Sequence, residues 1–151
     1  MLPVALRAAR QYPEMLTGFG FCTWNAFYQD VTAAGLFAKM EEFKAAGIPV
    51  DFVVIDDGWS LLRDGKLASF GADPVKFPGG IAPAIERLKR EYGVRYVGVW
   101  HAIQGYWGGV DPESDLYRAE KENLIFTKSG TCLPAPNEER PSPFSIIFTP
   151  P

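Results

Sequence analysis

The chain has 151 residues, 47% of them hydrophobic and 22% charged, with a formal net charge of −3. That content suits one domain with a real apolar core, and the acidic balance excludes the basic footprint of a nucleic-acid binder and the cationic run of a membrane-surface binder. Met1 to Arg10 lacks an apolar stretch of signal-peptide length and no run approaches the ~18–20 residues of a membrane span, so a cytoplasmic protein is expected.

Met1 to Tyr12 reads as a short helix stopped by Pro13. Thr17 to Trp24 (TGFGFCTW) is aromatic and Gly-rich and reads as a buried strand, with Cys22 buried and inert inside it. A helix is expected over 32–46. Leu36, Phe37, Met40 and Phe43 form its apolar stripe, Asp30 or Thr32 caps its start, and Gly47 and Pro49 end it. Val50 to Asp56 (VDFVVID) is a continuous β-branched and aromatic run, the pattern of a strand buried on both faces.

A long loop is expected from Asp57 to about Gly80, with a turn at Asp64-Gly65. A second helix over 81–92 places Pro83 in its first turn and Gly93 at its end. Val94 to Trp100 (VRYVGVW) is the third strand, followed by the loop GYWGGVDP. The order β, α, β, α, β predicts adjacent parallel strands near 17–23, 50–56 and 94–100. From Gly130 to Pro151 prolines crowd together and no periodicity survives, so 130–151 is expected to be an irregular tail after a domain spanning 1–129.

Each predicted strand ends in polar or aromatic residues: Trp24-Asn25, Asp56-Asp57 and Trp100-His101. Parallel sheets carry their sites at the strands' C-terminal ends. Asp56 and Asp57 follow an almost purely apolar strand, where a carboxylate needs hydrogen-bond donors to offset its desolvation. Sugar hydroxyls would serve; the plainer reading is a helix cap or a loop ion pair. Neighbours along a strand start toward opposite faces, which suits these two aspartates to holding hydroxyls rather than to acting as acid and nucleophile. Trp24, Trp59, Trp100, Tyr106 and Trp107 each read equally well as a sugar contact or as core, with Trp24 and Trp100 placed at strand ends to wall a pocket, and His101 reads as a sugar donor or as a histidine bonded to backbone. His101 is the single histidine, and Cys22 and Cys132 lie far apart, which argues against a zinc site and a disulfide scaffold. Gly105, Gly108 and Gly109 fit no phosphate loop. No metal and no cofactor is expected.

Three segments in order carry a resemblance: FCTWNAFY at Phe21 to Tyr28, IDDGWS at Ile55 to Ser60, and VGVWHAIQGYWGGVDP at Val97 to Pro112. Together they resemble the first three strand motifs of the raffinose synthase and alkaline α-galactosidase (seed imbibition protein) family, across roughly Thr17 to Glu139. The resemblance implies part of a (β/α)8 TIM barrel, about three parallel βα units, acting on α-galactosides by hydrolysis or galactosyl transfer. It implies that Asp56 and Asp57 hold the galactose 4- and 6-hydroxyls and that Trp24 and Trp100 line the galactose pocket. The family's nucleophile lies in a Lys-Val-Asp motif that this sequence lacks, and its acid/base aspartate lies further on. Ser142 to Pro151 does not resemble the helix that follows in the family. The expectation is therefore a fragment that is inactive alone, with a galactose-containing oligosaccharide as ligand and the remainder of the barrel, if encoded separately, as partner. The alternatives are a lectin-like half-pocket and a non-functional remnant.

Overall fold

A computed structural model of the chain describes residues 7–102, 105–124 and 144–149. The chain runs through β1 (Gly20–Cys22), α1 (Trp24–Phe27), α2 (Ala33–Ala45), β2 (Phe52–Ile55), β3 (Ser60–Arg63), β4 (Lys66–Ala72), α3 (Ala82–Tyr92), β5 (Tyr96–Ala102), α4 (Asp115–Glu120) and β6 (Phe144–Thr149). The fold is α/β. Strands β1, β2 and β5 are adjacent and parallel, as the alternating pattern predicts, with Cys22 level with Val54 and Ile55 level with Val99.

Local chemistry sets the helix ends. The Thr32 hydroxyl accepts from the Gly35 amide at 3.0 Å, satisfying one free donor of the first turn of α2. Gly93 closes α3 in the left-handed conformation and donates its N–H to the Leu88 carbonyl. The apolar stripes these ends bracket face one side of the sheet. Val53 and Ile55 of β2 and Val97 of β5 pack with Leu36 and Met40 of α2 and Leu88 of α3. Phe77, from the segment before α3, is fully buried in the same cluster. Burying a side chain of that size is worth about 1.5–3 kcal/mol.

The other sheet face is treated differently. Gly20 lies level with Phe52, whose ring covers it so closely that a Cβ at Gly20 would fall 1.9 Å from it. Cys22, level with Val54, is exposed rather than buried, because β1 is an edge strand among the described residues and nothing covers its end.

The expected loop over 57–80 instead contains a hairpin, β3 and β4, turning at Asp64 (φ 49) and Gly65 (φ 71). Positive φ at both turn residues matches the twist of tight two-residue hairpins. The turn is where the sequence places it; the flanking strands are too irregular in polarity to read. The hairpin is locked to the loop after β5. Leu67 N–H donates to the Gly109 carbonyl and Asp111 N–H to the Leu67 carbonyl, both at 2.9 Å, and a Cβ at Gly108 would lie 2.6 Å from the Gly65 oxygen.

Within the tail expected to be irregular, Phe144–Thr149 forms β6, antiparallel to β5 from Val97↔Thr149 to Ala102↔Phe144. The reason is local: FSIIFT is a β-branched and aromatic run between prolines, and it outweighs their density. The boundary near 129 and the rest of the tail lie outside the described residues, as do residues 1–6 of the expected first helix, of which Arg7–Ala9 forms a 3-10 turn. Among the described residues no helix is long and apolar enough to cross a membrane.

The uncovered β1 edge and the exposed Phe19 and Trp24 beside it predict self-association that grows with protein concentration. Size exclusion across a dilution series checks this. A single sharp monomer peak at every concentration, with a cooperative melt, counts against it.

Candidate functional site

The sheet register brings the three chemistry-bearing segments to one edge. Thr23 extends the ladder past β1, its N–H donating to the Val54 carbonyl at 3.0 Å and its hydroxyl accepting from the Asp56 amide at 2.9 Å. Trp24, Asp56 and Trp100 therefore stand at the C-terminal ends of the parallel strands. Trp24 opens α1 rather than ending a strand, and Trp100 is followed by two more residues of β5.

Asp57 is the buried centre of this edge, 4% exposed. Its Oδ2 accepts from the Tyr106 hydroxyl at 2.8 Å and from Gln29 Nε2 at 2.9 Å, and Gln29 Nε2 also donates to the Tyr106 oxygen at 2.7 Å. Its Oδ1 is buried and has no hydrogen-bond partner among the described residues. Burial, and then the hydrogen bond and charge of Asp57, push the Tyr106 hydroxyl well above its ordinary pKa, so it remains a donor. Asp56 is turned elsewhere: Oδ1 accepts from the Asp57 amide at 2.7 Å and Oδ2 from the Cys22 thiol at 3.0 Å.

Trp100 is buried, its ring edge-on to Tyr106 at 6.0 Å, and its carbonyl accepts from Trp59 Nε1 at 2.6 Å. Tyr106 thus joins Trp100 to Asp57. Trp24 is 37% exposed at the same edge, but its ring packs edge-on against Tyr28 at 5.4 Å rather than on this network. His101 packs its ring 5.0 Å from Phe70 of β4, and burial lowers its pKa, favouring the neutral imidazole. Arg63 of β3 pairs with the buried Asp111 at 2.6 Å, tying the hairpin to the same loop that carries Tyr106.

Within the Asp57 network, the sequence offers Tyr106 only as an aromatic that reads equally well as core or as a sugar contact, and does not single out Gln29. Tyr106 is one of several aromatics in a Gly-rich loop, and Gln29 is a polar loop residue with no motif around it. Their roles depend on the approach of three separate loops.

Partial burial and the neighbouring Asp56 hold the Cys22 thiol above its ordinary pKa. A raised thiol pKa means less thiolate at a given pH, and thiolate is the nucleophile. Asp56→Asn removes the adjacent charge, so alkylation of Cys22 by iodoacetamide at pH 8 is expected to speed up several-fold. Mass spectrometry of the Cys22 peptide measures it, and an unchanged or slower rate would count against the contact.

Comparison with known proteins follows the same segments. The family described as raffinose synthase or seed imbibition protein Sip1 matches residues 1–76 and 66–132. A probable galactinol–sucrose galactosyltransferase 6 of Arabidopsis thaliana is 36% identical over 126 residues, covering 70% of this chain and 17% of that protein. A galactinol–sucrose galactosyltransferase of Pisum sativum is 32% identical over 133 residues, covering 67% and 17%. The crystal structure of an α-galactosidase from Lactobacillus brevis superposes with a TM-score of 0.53 at 25% identity, over 83% of this chain and 15% of that one. A variant of the GH36 α-galactosidase AgaA from Geobacillus stearothermophilus, in complex with raffinose, gives a TM-score of 0.55 at 20% identity, over 77% and 16%. The chain spans about a sixth of the length of these curated relatives.

Proposed function

The chain belongs to the raffinose synthase or seed imbibition protein family, and from that membership we propose that its three parallel βα units are a sector of a (β/α)8 barrel that grips the galactosyl unit of a raffinose-type α-galactoside. A whole barrel of this kind takes about 250 residues.

The observation that carries this reading is the bare Oδ1 of Asp57. A buried carboxylate oxygen without a donor costs about 1–3 kcal/mol. A sugar hydroxyl is a neutral donor, and its hydrogen bond to a carboxylate is charge-assisted. In this proposal Asp57 takes one hydroxyl of the galactosyl ring and Asp56 a second, exchanging its contact with Cys22. Trp100 backs the pocket from beneath Tyr106, and Trp24 offers an exposed ring at the rim. His101 serves from the hairpin side as a neutral donor or acceptor. The function of these groups is to hold and orient the sugar, not to break its glycosidic bond. The reaction class, galactosyl transfer or hydrolysis, follows from the relatives' names and needs an acid/base and a nucleophile beyond this set.

The test is titration of dilute chain with methyl α-galactoside and methyl α-glucoside, read by ligand-observed NMR. The galactoside is expected to bind in preference, and Asp57→Asn to weaken it by about tenfold or more, the scale of a lost charge-assisted hydrogen bond. Equal affinity of the parent chain and Asp57→Asn would remove Asp57 from the site.

A further inference from the structure

We infer that Tyr106 and Gln29 are positioning residues for Asp57: by loading both of their hydrogen bonds onto Oδ2 they fix the carboxylate so that Oδ1 alone meets the sugar. This rests on the reading of Asp57 as a sugar ligand and adds the device that aims it.

A carboxylate offers about four lone-pair sites over two oxygens. Here Oδ2 accepts two donors and Oδ1 accepts none among the described residues. The terminal torsion of an aspartate is broad and nearly two-fold, so nothing intrinsic distinguishes its oxygens. Two donors from two different loops on one oxygen break that symmetry. They also hold each other, since Gln29 Nε2 donates to the Tyr106 oxygen.

The donors are themselves built in. Tyr106 is 4% exposed and packed against Trp100. Gln29 is placed through its backbone. Lys76 Nζ donates to the Gln29 carbonyl at 2.6 Å and to the Gly58 carbonyl at 2.9 Å, stapling the two loops together. Gly58 adopts φ 104 and comes so near that a Cβ there would lie 2.2 Å from the Gln29 oxygen. Tyr28, just before Gln29, is held at φ 48, a conformation rare for a residue with a large side chain. Backbone held in so uncommon a state is over-determined by its surroundings, as expected where a side chain must be delivered to one place.

Two near-isosteric variants test this, Tyr106→Phe and Gln29→Met, each titrated with methyl α-galactoside and its 4-deoxy and 6-deoxy analogues. In the parent chain, removing the hydroxyl that Oδ1 takes is expected to weaken binding by about tenfold or more. In both variants that deoxy penalty is expected to shrink to about threefold or less, because a carboxylate free to turn no longer presents one oxygen. A variant that merely loosened the fold would weaken all three sugars in proportion and leave the ratio unchanged. Retention of the full penalty in the variants overturns the inference while leaving Asp57 as a ligand. No penalty for either deoxy sugar in the parent chain overturns the ligand reading and the inference with it. If Tyr106→Phe fails to fold by near-ultraviolet circular dichroism, Gln29→Met, at an exposed residue, decides the matter.

Discussion

Given a chromogenic α-galactoside, a polypeptide of these 151 residues is expected to release product no faster than buffer. Retaining glycosidases set two carboxyl groups about 5–5.5 Å apart across the scissile bond, and inverting ones about 6.5–9.5 Å. Asp56 and Asp57 are adjacent in sequence at one side of the strand ends, and both are engaged: Asp57 through Tyr106 and Gln29, Asp56 through Cys22 and the Asp57 amide. Asp111 is neutralised by Arg63 at 2.6 Å and accepts from the Glu113 amide at 3.0 Å, so it braces its own loop. An acid/base group alone is worth about 10²–10⁴ in rate, and the covalent route needs a nucleophile that none of these three engaged aspartates is placed to supply. Asp56→Ala is the control. Release clearly above background in the parent, abolished in the control, would make the chain an enzyme by itself. A flat trace together with galactoside binding would separate recognition of the sugar from its chemistry.

The second large effect is expected at Gly58. Gly58→Ala forces a Cβ to within 2.2 Å of the Gln29 carbonyl oxygen, a backbone atom stapled by Lys76, and does so at φ 104. Backbone strain and overpacking together predict a loss of about 3 kcal/mol or more in stability, with galactoside binding weakened as Gln29 moves. Gly47→Ala separates the two causes. Gly47 has φ 68 but nothing within 4 Å of a would-be Cβ, so only the strain of about 1–2 kcal/mol applies. Urea unfolding of dilute chain compares them. Equal losses at the two positions would mean that the Gly58–Gln29 approach carries no weight.

The parts of this fold that were legible are those whose signals are local. Phe52 to Ile55 announces a buried strand because its apolar run is unbroken, and α2 and α3 are bracketed by residues whose backbone preferences are strong: Thr32, Gly47, Pro83 and Gly93. Asp56 and Asp57 stand out because charge directly follows that apolar run. The hairpin strands are hidden because Leu61, Leu62, Leu67, Ala68 and Phe70 alternate with polar residues irregularly, and because Leu67 is buried by Tyr106 of the loop after β5, a contact distant in sequence. Phe77 is fully buried from a segment with no period at all. Cys22 is exposed against expectation because a strand residue's burial depends on what lies beside the strand. Gln29 is illegible for the same kind of reason: what makes it matter is Asp57 and Tyr106, far along the chain, with Gly58 and Lys76 setting only its backbone.

The placement of the tryptophans has a spectroscopic consequence. The sequence contains four, and Trp24, Trp59, Trp100 and Trp107 all belong to the strand ends or to the loops leaving them; α2 and α3 carry none, although Trp59 is buried in the same cluster as Leu36, Met40 and Leu88. Indole emission from this chain is therefore mostly a signal of its mouth, with Trp59 also reporting on the core beneath the helices. It also divides in two. Trp59 and Trp100 are each 5% exposed, whereas Trp24 and Trp107 are 37% and 50% exposed. A collisional quencher in the solvent should silence the second pair and leave the blue-shifted emission of the first, so that a sugar settling over the rim would register as quenching denied to Trp24 without any label on the protein.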